Sequence, residues 1–223
     1  MAGGRAKAQS RRGARSRGSG ARRVDARATL PVVVICCDDE RAAPRYFDVL
    51  KRELKDSLTI HVRCAPRSGV RSSNVLEAAE REKRNFAQRG DARDRTVIWI
   101  VIDAECSDHD RAEAQVVGEL AKASGIECAI SDPCFEVWTL LHLEAKPGLF
   151  KRCAEVVRAV EAAWQKAFGE EFRKPNAKYE RLSDRRMQAI EWATRRKGQV
   201  GCCTGVHRLV QQVLDFARDS QST

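Results

Sequence analysis

The stretch Thr96-Val-Ile-Trp-Ile-Val-Ile-Asp-Ala-Glu105 decides the fold. Its first seven residues do not alternate between apolar and polar. They read as a strand covered on both faces, as strands of parallel sheets are. The run is strand-sized, and no stretch of the chain approaches the roughly 18 uncharged apolar residues of a membrane span. The strand ends in acid. Asp103 and Glu105 follow it directly, with Asp108 and Asp110 beyond.

Working outward, residues 31–37 (PVVVICC) form a second buried run, and Asp38, Asp39 and Glu40 follow it at once. Pro44 suits the opening of a helix, where its missing N–H costs nothing. Phe47, Leu50 and Leu54 form that helix's apolar stripe. Residues 58–64 read as a strand. Asn74 with Glu77 reads as a capping box for a helix running to about residue 89, closed by Gly90. A helix over 109–124 carries Ala112, Val116 and Leu120 on one face, with Gly125 at its end, and residues 126–130 form a fourth strand. The βαβαβαβ order predicts a mainly parallel sheet with helices on both faces. From Pro133 onward the spacing is helical, over 133–143, 149–168, 183–197 and 205–217. Residues 169–182 are polar, contain Pro175 and read as a loop. The expected organisation is a basic tail over 1–30, an α/β core over 31–144, and a helical addition over 145–223 packed on that core.

The 223-residue chain has a formal net charge of +10, but the excess is concentrated at one end. Nine of its 41 Lys and Arg fall in residues 1–30 against the single acid Asp25, leaving 32 basic and 30 acidic residues elsewhere. The tail is rich in Ala, Gly, Ser and Arg and cannot bury enough surface to fold. It lacks the apolar core of a secretory signal. A solvated leader, a phosphate-binding arm and an organelle transit peptide all fit its composition. The nine cysteines are odd in number and several sit in apolar strands, as expected of a reduced, cytoplasmic protein using Cys as a small hydrophobe. No C-x-x-C occurs, and Cys202, Cys203 and His207 make at most half of a zinc site. Arg185, Arg186, Arg195, Arg196 and Lys197 read as a solvated helix face or as a phosphate track. Aromatic residues are 6% of the chain, so base stacking is not an obvious mode of binding.

In an open parallel sheet the carboxyl ends of the strands share one edge, and ligands bind there. The clusters Asp38-Asp39-Glu40 and Asp103-Ala104-Glu105 are therefore expected to meet. Gathered carboxylates repel unless a proton or cation intervenes. The natural partner is a hard divalent ion, Mg²⁺ or Mn²⁺, which also stabilises the charge developing in phosphodiester cleavage. Loop and helix-cap duty is the plainer reading of the same residues. In residues 130–144, ISDPCFEVWTLLHLE, Asp132 or Ser131 can cap a helix that Pro133 opens. Phe135, Trp138 and Leu141 fit a core stripe. Glu136 suits either a helix cap or an added metal contact. His142 suits a satisfied core histidine, a phosphate contact or a proton-transfer group.

Three segments resemble the RloB-like family, small bacterial proteins with a Toprim-related core. They are ICCDDERAAPRYF at 35–47, VIWIVIDAE at 97–105 and ISDPCFEVWTLLHLE at 130–144, with a weaker match in TGVHRLV at 204–210. The resemblance implies a Toprim-like sheet with a helical C-terminal addition. It places Asp38 at the acid–base position after the first strand and Glu40 at the second acidic position. Asp103 and Glu105 fall at the metal-holding D-x-D, so the implied metal set is Asp38, Asp103 and Glu105. Asp38 and Glu40 are the implied acid–base groups; Glu136 and His142 join them as candidate catalytic groups on the reading of their own segment. The chain departs from the family pattern in having Asp38 for Glu, Asp39 for a turn glycine, Ala43 for an acid, Glu105 for Asp and Asp132 for Asn.

The expected function is a Mg²⁺- or Mn²⁺-dependent nuclease acting on DNA or RNA in a bacterial defence system. The alternative is a degenerate scaffold that binds nucleic acid or a partner ATPase. The resemblance admits an AAA-type ATPase partner, and this chain has no G-x-x-x-x-G-K-[ST] loop of its own.

Overall fold

The structure, a computed structural model, describes residues 30–65, 72–88, 95–105, 107–196 and 198–221. The expected basic tail lies outside the described residues, apart from Leu30. So do Gly90, Cys106 and Lys197. The protein is α/β, with a five-stranded, mostly parallel sheet flanked by helices. The order along the sheet is β2 (Thr59–Cys64), β1 (Val32–Cys37), β3 (Thr96–Asp103), β4 (Glu127–Asp132) and β5 (Cys203–Thr204). β1 runs parallel to both β2 and β3, β3 runs parallel to β4, and β5 is antiparallel to β4.

The unbroken apolar runs are explained by two cores, one on each face of the sheet. Val33, Ile35 and Cys37 of β1, with Trp99 and Val101 of β3, face one core. It is built with α1 (Ala42–Glu53), α4 (Glu136–Leu141), α5 (Cys153–Phe168), α6 (Arg186–Arg195) and α7 (Val206–Gln221). Val32, Val34, Cys36, Ile98, Ile100 and Ile102 face the other, beneath α2 (Ser72–Gln88) and α3 (Asp108–Ala123). Phe47 and Leu50 are buried as the stripe of α1 predicts, and Leu54 packs partly buried at its end.

Several local expectations need correction. The strip Ala112, Val116 and Leu120 on α3 faces solvent; Val116 and Leu120 are 59% and 53% exposed. The buried face is Ala114, Val117 and Ala121. Small residues let this helix lie close to the sheet. A Cβ on Gly118 would stand 3.4 Å from Ile130 Cδ1. Side-chain size therefore misleads here, because the close approach favours the smaller residues. α2 begins at Ser72, so Asn74 falls inside its first turn and does not cap it.

The second half is not all helix. β5 is only two residues long, too short to leave a periodic signal. It is fixed to β4 by Gly205 N–H donating to Ile130 O at 2.7 Å and by the hydroxyls of Ser131 and Thr204 at 2.8 Å. The segment over 169–182 carries 3₁₀ turns at Lys174–Asn176 and Tyr179–Arg185. α5 starts later than its spacing suggests, because Phe150 N–H is engaged by Gly201 O at 2.9 Å. Gly201 itself has φ +78°, and a Cβ there would stand 2.7 Å from Phe150 O, so both conformation and space demand glycine. No helix among the described residues is long and apolar enough to cross a membrane.

The corrected face of α3 is directly testable by urea unfolding. Val117→Ala lowers stability by about 1–3 kcal/mol, because it empties packed space against the sheet. Leu120→Ala stays within about 0.5 kcal/mol of wild type.

Candidate functional site

The register of β1 on β3 builds the site. Cys37 lies opposite Val101, so both strands reach the same edge at the same height. Asp38 N–H then donates to Val101 O at 3.2 Å. The Asp38 carboxylate reaches across, and its Oδ2 accepts the Asp103 N–H at 2.7 Å. Asp103 passes the connection on, its Oδ1 accepting the Phe135 N–H at 2.9 Å. Three strand ends are thus tied by two carboxylates bonded to backbone, and the two sequence clusters meet as their positions predict.

Asp39 turns to α1, where its Oδ2 accepts the Ala42 N–H at 2.9 Å. Its Oδ1 is buried without a hydrogen-bond partner among the described residues. Its backbone does not occupy the left-handed region that a turn glycine would suggest. Among the described residues the non-glycine with positive φ is Glu105, at 53°. That strained backbone presents the exposed Glu105 carboxylate to Cys153, whose thiol donates to Oε2 at 3.7 Å. Glu40 is exposed. Asp108 and Asp110 serve the start of α3 instead. Ser107 caps the Asp110 N–H, and Arg111 pairs with Asp108 at 3.2 Å.

Burial and mutual repulsion dominate the electrostatics. Asp38 is pushed up to about 7, first by burial and then by Asp39 and Glu105, against the stabilising hydrogen bond from the Asp103 N–H. Asp103 is held well above the ordinary carboxylate range by burial, then by Asp38, Glu136, Asp39 and Glu105. Both residues nevertheless remain only partly buried.

Glu136, the first residue of α4, is fully buried. Lys174 Nζ stands 2.6 Å from its Oε1. The contact is a short ion pair. Lys174 is absent from the sequence-based site. It sits in the polar stretch after α5, and neither spacing nor motif distinguishes it from the other cations there.

His142 lies elsewhere, in an aromatic cluster with Tyr46 and Trp138. Its Nδ1 is 2.8 Å from Trp138 O, which can only accept, so Nδ1 carries the proton. Nε2 is then an acceptor, 3.4 Å from the Tyr46 hydroxyl. Burial, with Arg186 and Arg185 nearby, pushes this histidine down to about 3, so the ring is neutral. Arg186 Nε donates to the Tyr46 hydroxyl at 3.3 Å, and the same guanidinium pairs with Glu53 at 2.7 Å. Arg186 is therefore buried and not part of a solvated face. Asp132 is likewise no helix cap. Its carboxylate accepts from Arg111 Nε at 3.2 Å and from Gly201 N–H at 2.9 Å.

The sequence model of the RloB-like protein family matches residues 33–213. The chain belongs to the RloB-like family. No curated protein and no solved structure matches it. In this RloB-like protein, the three resembling segments supply the two strand ends and the start of α4. Among the described residues, no three His, Cys, Asp or Glu side chains already stand as a metal cage. The groups nonetheless suit a hard cation in kind. They are oxygen donors, Asp38 and Asp103 are raised by burial and by neighbouring carboxylates, and Asp39 keeps an orphaned buried oxygen.

The repulsion has a pH signature. A carboxylate raised in the folded state destabilises folding once ionised. For Asp38 that penalty is absent below about pH 4, grows toward pH 7 and is complete above it. Asp38→Asn keeps an oxygen for the Asp103 N–H. Without divalent ions it is expected to raise Tm at pH 8 and to leave Tm unchanged at pH 4, as read by thermal melts at both values.

Proposed function

We propose that this protein is a divalent-metal-dependent nucleic-acid phosphodiesterase, a Toprim-type nuclease of a bacterial defence system. The observation that carries the reading is the pairing of Asp38 with Asp103 across adjacent strand ends, both raised by burial and by neighbouring carboxylates. Such a partly open edge of oxygen donors, at the carboxyl end of a parallel sheet, favours a hard cation and an anionic substrate bound through it.

Asp38, Asp103 and Glu105 are the groups that would hold Mg²⁺ or Mn²⁺. When bound, the ion supplies positive charge against the phosphate oxygens. The chain's own residues do the rest. Asp38, near neutrality in its proton affinity, and the exposed Glu40 are the candidates for moving a proton. Phe135 N–H fixes the Asp103 carboxylate, and Glu136 raises the charge density behind it. His142 supports this assembly from within the core, because its neutral ring is taken up by Trp138 O and the Tyr46 hydroxyl. A partner AAA-type ATPase and the defence setting rest on the family likeness alone.

The scaffold reading is favoured by one observation: Glu105 faces Cys153 from a left-handed backbone. Calorimetry separates the two. The nuclease reading expects saturable Mg²⁺ or Mn²⁺ binding that Asp103→Asn removes. Cleavage of DNA or RNA falls about 100-fold or more with it, while the circular dichroism spectrum is unchanged. Metal binding and cleavage unaffected by Asp103→Asn would refute that site, and their absence in wild type would favour the scaffold.

A further inference from the structure

Glu136 is sealed from solvent, and no donor other than the Lys174 ammonium stands at its carboxylate among the described residues. Burying a carboxylate is costly unless a cation stands against it. That cation is Lys174, 2.6 Å from Oε1, with its side chain 32% exposed. Its neighbours use their charges differently. Arg173 pairs with Glu171, while Lys178 and Arg181 pair with Glu170, all toward the surface. Lys174 turns inward from its 3₁₀ turn. Burial opposes its charge, but Glu136, with Asp39 and Asp103 behind it, more than offsets that and holds the ammonium above the ordinary lysine range. The same Glu136 is, after Asp38, the charge that most raises Asp103. One ammonium therefore serves the carboxylates that would also attract a divalent ion.

We propose that Lys174 is the resident counter-cation of the acidic edge, a tethered positive charge that competes with the divalent ion for the same field. The inference rests on the metal-dependent reading above. Two cations drawn to the same carboxylates repel, so each weakens the other's binding by the same factor. The partly exposed Lys174 side chain, on a short surface turn, has a route outward when an ion enters. Lys174 is in this sense a positioning residue. It sets how strongly the edge takes metal and does not itself meet the reacting atoms.

The test is calorimetric titration of the full chain with Mg²⁺ and Mn²⁺, comparing wild type, Lys174→Met and Lys174→Arg. Removal of the charge is expected to tighten metal binding by about fivefold or more, a typical coupling between sites. Arginine, which restores the charge, keeps the affinity within about twofold of wild type. Thermal melts give the second readout. Lys174→Met melts lower than wild type without divalent ions and gains more Tm from Mg²⁺ than wild type does. If Lys174→Met does not fold without ions, Lys174→Gln, which retains donors for Glu136, takes its place in both measurements.

The outcomes separate the two ideas. Binding by wild type that is unchanged or weakened in Lys174→Met overturns the counter-cation and leaves the nuclease reading standing. Equal tightening by Met and Arg also overturns it, because packing and not charge would then be responsible. Binding seen only in Lys174→Met upholds it. No binding in any variant overturns the metal reading and this inference with it.

Discussion

Everything at the acidic edge depends on one backbone fact, the parallel register that sets Cys37 opposite Val101. With that register the ends of β1 and β3 coincide, and the carboxylate of Asp38 falls within 2.7 Å of the Asp103 N–H. A one-residue slip would carry every side chain of β1 to the opposite face. It would put Val34 and Cys36 among the aromatics and take Asp38 out of reach. The two covered faces of the sheet therefore do more than stabilise the fold. Their mismatch under any other register fixes the position of the acids, and the Asp103–Phe135 bond extends this order to the segment after β4.

The thicker core carries that order to α4. Tyr46 packs against Phe47, Phe135, Trp138, His142 and Tyr179, its hydroxyl lying between His142 and Arg186. Arg186 is anchored in turn by Glu53, so α1, α4 and α6 share one polar thread through apolar surroundings. Such a thread specifies a single arrangement, because any repacking would strand a buried donor or charge. α4 is only six residues long and depends on this support to hold Glu136 at the back of the edge. The neutral His142 belongs to that support. Its imidazole is matched to a carbonyl on one side and a hydroxyl on the other.

How much of this was legible depended on the kind of signal. The four long strands and their parallel order were readable because buried β-branched runs are unambiguous in 31–37 and 96–102. The meeting of Asp38 with Asp103 then followed from strand-end geometry. The face of α3 was misread because Val116 and Leu120 are larger than Ala114 and Ala121, and size counted for more than the close approach permitted at Gly118. β5 was invisible, since two residues have no period. Lys174 was invisible for another reason. Its role comes from a tertiary contact with Glu136, and nothing local separates it from Arg173 or Lys178. Arg186 was misassigned on the same ground, as one arginine in a basic run that happens to point inward.

The site's charges divide according to access to water. Asp38 and Asp103 keep partial exposure, so a proton or an ion from solvent can answer their repulsion. Glu136 has no such access, and its counter-charge comes from the chain, through Lys174. Desolvation makes the sealed carboxylate the costlier of the two kinds, since an unpaired buried charge destabilises far more than an exposed one. The outer carboxylates can stay underneutralised because water reaches them, whereas the inner one needs a counter-charge from the chain itself. The inward turn of Lys174 supplies it, and so one lysine in a stretch of surface ion pairs lies against a sealed glutamate.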